Sequence, residues 1–407
     1  MAQPMRQPTK TVSTEARAHA RIASAVASLP PSGIREFFDL VQTMDDIVSL
    51  GVGEPDFRTP WVICDEIIYS LERGRTAYTS NQGILELRQA ISAYLDRLYG
   101  VRYDPATEIV VTNGVSEGID ITFRATLNPG DSVLVPEPCF VSYPACVELA
   151  GAEAIFVPTR LEHGFKLRRE DLEACITSTT RGLMLGSPSN PTGAAMTRDE
   201  LMPIAEFAAE HDLLVYSDEI YDRLVYDGHR HTCFASLPGM RDRTVVLNGF
   251  SKAFAMTGLR VGYVCAPPDI ADAANRVHQY TAMCAATQSQ VGAIQALKSA
   301  DDEVRRMVAE YDRRRRYLVH ALCDIGMDCP MPQGAFYVFP STRSLGLTGR
   351  GFATRLLKEE RVAVVPGAAF GPSGDYNVRA TYATSLEQLR VAVGRIAQFV
   401  ERVRAQR

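Results

Sequence analysis

The sequence predicts an α/β fold: a large domain with a mixed, mostly parallel sheet flanked by helices, followed by a smaller α+β domain. Three observations carry this. Short β-branched runs alternate with longer helical patterns through the middle of the chain. Several runs are almost wholly apolar, as expected of strands covered by helices on both faces. After about Gln288 the alternation gives way to one long helix and a few short strands.

The elements follow in order. Strands are predicted over 108–112, 132–135, 154–157, 181–186, 213–217, 244–247 and 261–265, with helices such as 116–125 and 198–210 between them. Residues 301–322 read as one long helix. Its four consecutive arginines, 313–316, lie near Glu303, Glu310 and Asp312 and are read as a solvated helix face. A strand over 334–340, a helix over 351–360, strands over 362–365 and 376–383, and a helix over 387–404 complete the chain.

The 407 residues allow two or three domains. A hydrophobic share of 46% and a charged share of 22% are those of a globular enzyme. The net charge of −5 argues against nucleic-acid binding. The nine cysteines form no C-x-x-C pair and several sit in apolar runs, so they are read as reduced thiols of a cytoplasmic protein. No metal site is expected: no H-E-x-x-H occurs, and the one close histidine pair, His229 and His231, is read as structural or surface. No segment reaches the ~18 apolar residues of a membrane span. The start of the chain lacks an apolar signal region.

Five segments could carry chemistry. Gly51-Val-Gly53-Glu-Pro-Asp56 lacks the third glycine of a dinucleotide fingerprint, and a proline stands where a helix should open. Thr112-Asn-Gly114-Val115-Ser116 is a strand, a glycine turn and a helix start, where free N–H groups can hold a phosphate. Ser187-Pro-Ser-Asn190-Pro-Thr-Gly193 is a rigid turn that projects Asn190 past a strand end. In Tyr216-Ser-Asp218-Glu-Ile-Tyr221 a strand runs into carboxylates, and a buried Asp218 needs a cation. Asn248-Gly-Phe-Ser251-Lys252-Ala-Phe-Ala-Met-Thr-Gly-Leu-Arg260 places an amine among apolar side chains, which makes it a nucleophile able to form a Schiff base. Eight residues on, Arg260 is suited to a phosphate. Finally, Arg379 lies inside a β-like run and calls for an anion, for which a substrate carboxylate is the natural candidate. Taken together these groups match the needs of pyridoxal 5′-phosphate.

With these motifs in the same order, nearly the whole chain resembles the fold-type I pyridoxal-phosphate enzymes, and closely the class I/II aminotransferases of the aspartate and aromatic type. The resemblance implies that Lys252 binds the cofactor covalently, that Asp218 pairs with its ring nitrogen, and that Asn190 and Tyr221 hydrogen-bond its 3′-oxygen. Phe140 stacks on the ring, while Gly114, Val115, Ser116, Ser251 and Arg260 surround the phosphate. Tyr78 reaches the phosphate of the neighbouring subunit in a homodimer. Arg379 clamps the substrate α-carboxylate, with Gly53 and Asn190 beside it. The implied division is a loose extension (1–20), a segment joining the small domain (21–48), a large cofactor domain (49–288) and a small domain (289–407). Two positions depart from the pattern. Gly249 stands where many relatives carry a hydroxyl, and Ser116 where some carry a lysine for a distal carboxylate. The implied activity is ping-pong transfer of an amino group from an L-amino acid to a 2-oxo acid such as 2-oxoglutarate. A C–S or other α/β-eliminating lyase on the same scaffold is the alternative. Substrate preference is expected to lie in loops such as the one around Ile34.

Overall fold

In a computed structural model, residues 21–29 and 44–406 are described. The extension over 1–20 and the loop around Ile34 lie outside them. Twelve strands occur in chain order: β1 (Val48–Ser49), β2 (Ile109–Thr112), β3 (Ser132–Glu137), β4 (Glu153–Pro158), β5 (Thr180–Gly186), β6 (Leu214–Asp218), β7 (Thr244–Gly249), β8 (Gly262–Cys265), β9 (Tyr337–Val338), β10 (Val362–Ala363), β11 (Val365–Pro366) and β12 (Val378–Thr381).

Seven of them form the central sheet in the order β2-β8-β7-β6-β5-β3-β4. Neighbours from β7 to β4 run parallel, and β8 alone runs against both of its neighbours. All seven predicted strands are present, within one or two residues at each end. Their apolar runs are explained by burial: every residue of β2, β7 and β8 is buried. Helices at Val115–Thr126 and Arg198–Glu210 join strands of this sheet. The latter opens on a capping box, in which Thr197 and Glu200 satisfy each other's backbone N–H.

The second sheet, β11-β12-β9, is antiparallel, and β1 pairs with β10 in parallel. Here the predicted strands shorten. The 334–340 run forms a strand only at Tyr337–Val338, with an isolated bridge from Gly334 to Val225, because Ala335 takes a left-handed backbone (φ 55°) and Pro340 has no N–H to give. The 362–365 run splits between two sheets, β10 pairing with β1 and β11 with β12. The 376–383 run pairs at Val378–Thr381. The long helix spans Asp301–Asp324, and helices at Gly349–Glu360 and Leu386–Ala405 follow.

The arginine run corrects one expectation. Arg313 and Arg316 are exposed, but Arg314 and Arg315 are buried. The Arg315 guanidinium donates to the Pro332 carbonyl (2.6 Å) and to Asp227 (2.7 Å), and also pairs with Asp312. Four successive helical residues sweep a full turn, so they cannot all face water. Arg315→Leu is expected to cost about 2–3 kcal/mol, because it strands these acceptors. Arg316→Ala, on the open side, is expected to leave the unfolding midpoint almost unchanged. Urea unfolding of the two variants checks the difference.

Candidate active site

Strands β2, β3, β5, β6 and β7 all end at one edge of the central sheet, where ligands of such sheets bind. A cleft of about 680 Å³ lies at that edge. The turn after β2 brings Val115 and Ser116 into it, the turn after β3 Phe140, the turn after β5 Asn190, the end of β6 Asp218 and Tyr221, and the turn after β7 Ser251 and Lys252. Arg260, just before β8, and Arg379, on β12, face the same cleft, as does Gly53.

The ionisable groups are strongly perturbed. Burial lowers the Lys252 ammonium to about 8, against the opposing pull of Glu54 and helped by Arg379 and Arg260. Its Nζ donates to the Gly53 carbonyl at 2.7 Å. Burial raises the Asp218 carboxyl to about 6, although the Tyr143 hydroxyl donates to it at 2.8 Å. No cation pairs with Asp218 among the described residues. Arg379 is buried, which pulls its guanidinium downward. Nη1 donates to Asn190 Oδ1 (2.9 Å) and Nη2 to the Gly51 carbonyl (2.7 Å). Nε is buried without a hydrogen-bond partner among the described residues. The Tyr221 hydroxyl lies 2.9 Å from that of Tyr337, whose ring packs 4.5 Å from the Arg379 guanidinium.

At the other end of the cleft the Val115–Thr126 helix begins on Gly114 with no side-chain cap. Its first N–H groups are therefore free to meet an anion. Gly114 sits at φ 79°, and a Cβ there would fall 2.6 Å from the Arg260 guanidinium. The turn favours glycine, and a side chain there would also push the Arg260 guanidinium aside. Ser116, Ser251, Thr257 and Arg260 surround the same spot.

The predicted residues thus converge, with two distinctions. Gly114 shapes the wall without lining the cleft, and Tyr78 is 82% exposed and outside it. Sequence reasoning missed Tyr143, Tyr337 and Thr257. Tyr143 stands three residues after Phe140, and Tyr337 lies within a run read only as a strand. Neither carried a signal beyond its place in the pattern. His231, read as structural or surface, is buried and lies 2.8 Å from Glu219, behind Asp218.

The model of the aminotransferase class I and II family matches residues 45–396. The chain belongs to this family. The aminotransferase is 43% identical to the aromatic-amino-acid aminotransferase 2 of Thermococcus litoralis, over 91% of this chain and 96% of the relative. It is also 43% identical to the aspartate aminotransferase of Pyrococcus abyssi, with the same coverage. The solved aromatic aminotransferase of Pyrococcus horikoshii superposes with a TM-score of 0.87 at 44% identity, over 91% of this chain and 99% of that one. The fold is therefore that of the fold-type I aminotransferases.

The Lys252 environment has a measurable consequence. Below pH ~8 the folded aminotransferase carries a buried charge that the unfolded chain solvates freely, so the full cost is present there. Between ~8 and ~10.5 the folded state has released that proton and the unfolded chain still holds it, and stability rises with pH. In cofactor-free protein Lys252→Met is expected to stabilise by on the order of 2–3 kcal/mol at pH 7. The gain should vanish by pH 10.5. Denaturant unfolding at pH 7, 9 and 10.5 tests this.

Proposed function

We propose that the protein is a pyridoxal 5′-phosphate-dependent aminotransferase. In this reading it moves the amino group of an L-amino acid, of the aspartate or aromatic type, to a 2-oxo acid such as 2-oxoglutarate, both substrates using one site in turn. The observation that carries the reading is one cleft holding a depressed lysine, a buried unpaired carboxyl and a buried arginine with a free Nε. The names of the Thermococcus and Pyrococcus relatives support the substrate class.

The donor set fits the cofactor. Asp218 offers a buried carboxyl that lacks a cation, as a protonated ring nitrogen requires, and Tyr143 helps keep it ionised. Ser116, Ser251, Arg260 and the uncapped N–H groups after Gly114 suit its phosphate. Asn190 and Tyr221 offer donors to a phenolate oxygen, and Phe140 offers an aromatic face. When bound, the pyridoxal group supplies an electron sink for the pair left when the substrate Cα–H bond breaks. Lys252, whose burial favours the free amine, would take that proton from Cα and hand it back two atoms further along, beyond the amino nitrogen. Arg379 holds the substrate carboxylate through Nε and the free edge of its guanidinium, which fixes Cα within reach of Lys252.

We also infer a homodimer, with Tyr78 completing the phosphate site of the neighbouring subunit. Its 82% exposure, and that of Trp61 (70%) and Tyr280 (87%), supports a covered surface there. No helix among the described residues is long and apolar enough to cross a membrane, and we read the enzyme as cytoplasmic. The division of the chain is best drawn nearer Ala300 than 288, since the Thr287–Ser299 helix packs on those at Trp61–Glu72 and Leu85–Tyr99.

The test is the visible absorption of purified holoenzyme as single amino acids are added without oxo acid. The band of the lysine-bound cofactor should fade, fastest with aspartate or an aromatic amino acid. Release of pyruvate or ammonia without an oxo acid would instead identify a lyase. Arg379→Ala should raise the KM for both amino and oxo acids by roughly 100-fold, from the loss of a charged bidentate contact, and leave cofactor affinity unchanged. Unchanged KM values would remove Arg379 from its role.

A further inference from the structure

We propose that Arg314 is a positioning residue for amino transfer: by clamping Asp56 it holds the 51–57 loop so that the Gly53 and Gly51 carbonyls meet Lys252 and Arg379. This rests on the roles given above to those two residues.

Residues 52–58 make no backbone–backbone hydrogen bond to any described residue. Their placement therefore depends on side chains. Arg314 supplies the strongest tie. Its Nη1 donates to both Asp56 oxygens, at 2.9 and 2.8 Å, and its Nε to Glu310 at 2.8 Å. The Arg314 side chain is 7% exposed and Asp56 27%, so the pair is screened less by water and salt than a surface pair is. The guanidinium also lies 5.2 Å from the Phe57 ring, and that ring meets Tyr311 edge-on at 5.2 Å.

The loop has little slack at its other contact. A Cβ at Gly53 would fall 2.6 Å from the Tyr337 hydroxyl. Two carbonyls from this one strap orient the two groups on which the chemistry depends: Gly53 accepts from Lys252 and Gly51 from Arg379. A shift of the strap moves the Gly53 acceptor directly and can turn the Gly51 carbonyl, although Leu50 before it is pinned by backbone bonds with Ala363 and Thr381. Arg314 touches neither Lys252 nor Arg379, and its effect passes through the backbone of the loop.

The experiment compares wild-type holoenzyme with Arg314→Met, Arg314→Lys and Asp56→Asn. Arg314→Met and Asp56→Asn should lower kcat/KM for the best amino acid by roughly 10- to 100-fold. They should also move the pH midpoint of the visible cofactor band, while cofactor affinity stays within about two-fold, as the phosphate donors are untouched. Arg314→Lys should recover part of the loss, since it keeps charge without the two-pronged grip. Asp56 is 27% exposed, so Asp56→Asn carries the test should Arg314→Met fail to fold. A turning-over wild type matched by both folded variants in kcat/KM and pH midpoint overturns the clamp and leaves the aminotransferase reading standing. Loss of cofactor affinity in proportion to activity also overturns it, as a general collapse of the site. A wild type inert towards every amino acid overturns both.

Discussion

Three ionisable groups held out of water, Lys252, Asp218 and Arg379, set the demands that the rest of the structure meets. Burial moves the proton affinity of each away from its ordinary value, and the foremost neighbour of each pulls it part of the way back. Such displacement costs stability, and it recurs where function requires it. The scaffold offsets that cost with rigidity. Asp218 ends a fully hydrogen-bonded parallel strand, and Lys252 follows β7, whose six residues are all buried. The same carboxyl-edge geometry gathers five strand ends, so residues more than a hundred apart in sequence share one wall.

What the sequence made legible follows from this. Strands buried on both faces must be apolar along their length, so the inner strands of the central sheet could be read directly, while the largely exposed edge strand β4 was read from its short apolar run. The site residues stand in turns whose glycines and prolines are visible as such, and Gly114 is the clearest case: its backbone at φ 79° strains any other residue. The short strands of the second sheet were less legible. Pairing over two to four residues depends on long-range partners and on local breaks such as the left-handed Ala335, which no periodicity announces. Tyr143 and Tyr337 escaped for a related reason. Their roles come from partners 75 and 116 residues away, Asp218 and Tyr221.

The arginine run shows how charge patterning misleads. Counting nearby carboxylates predicted solvent exposure, and the carboxylates are indeed partners, yet two of the four guanidiniums lie inside. Long side chains bury their stems while their heads pair. Arg315 lies 4.7 Å from the Tyr226 ring and reaches the chain at Pro332. Arg314 reaches the loop beside the cleft. A run that looks like surface in one dimension is a joint in three, because helical geometry points its members in four directions.

The choice of backbone carbonyls as partners for Lys252 and Arg379 has a physical logic. A carboxylate at 2.7 Å from the lysine would favour the ammonium and raise its proton affinity, which would spoil it as a base. A carbonyl accepts from the ammonium and, more weakly, from the neutral amine, so Lys252 keeps a partner while its proton comes and goes, without the stronger bias of a carboxylate. For Arg379, the Gly51 carbonyl and Asn190 Oδ1 satisfy two donors without cancelling the positive charge that a substrate carboxylate needs. Neutral acceptors on one loop thus orient both groups and leave their charges available. The placement of that loop then matters as much as the identity of the residues it serves.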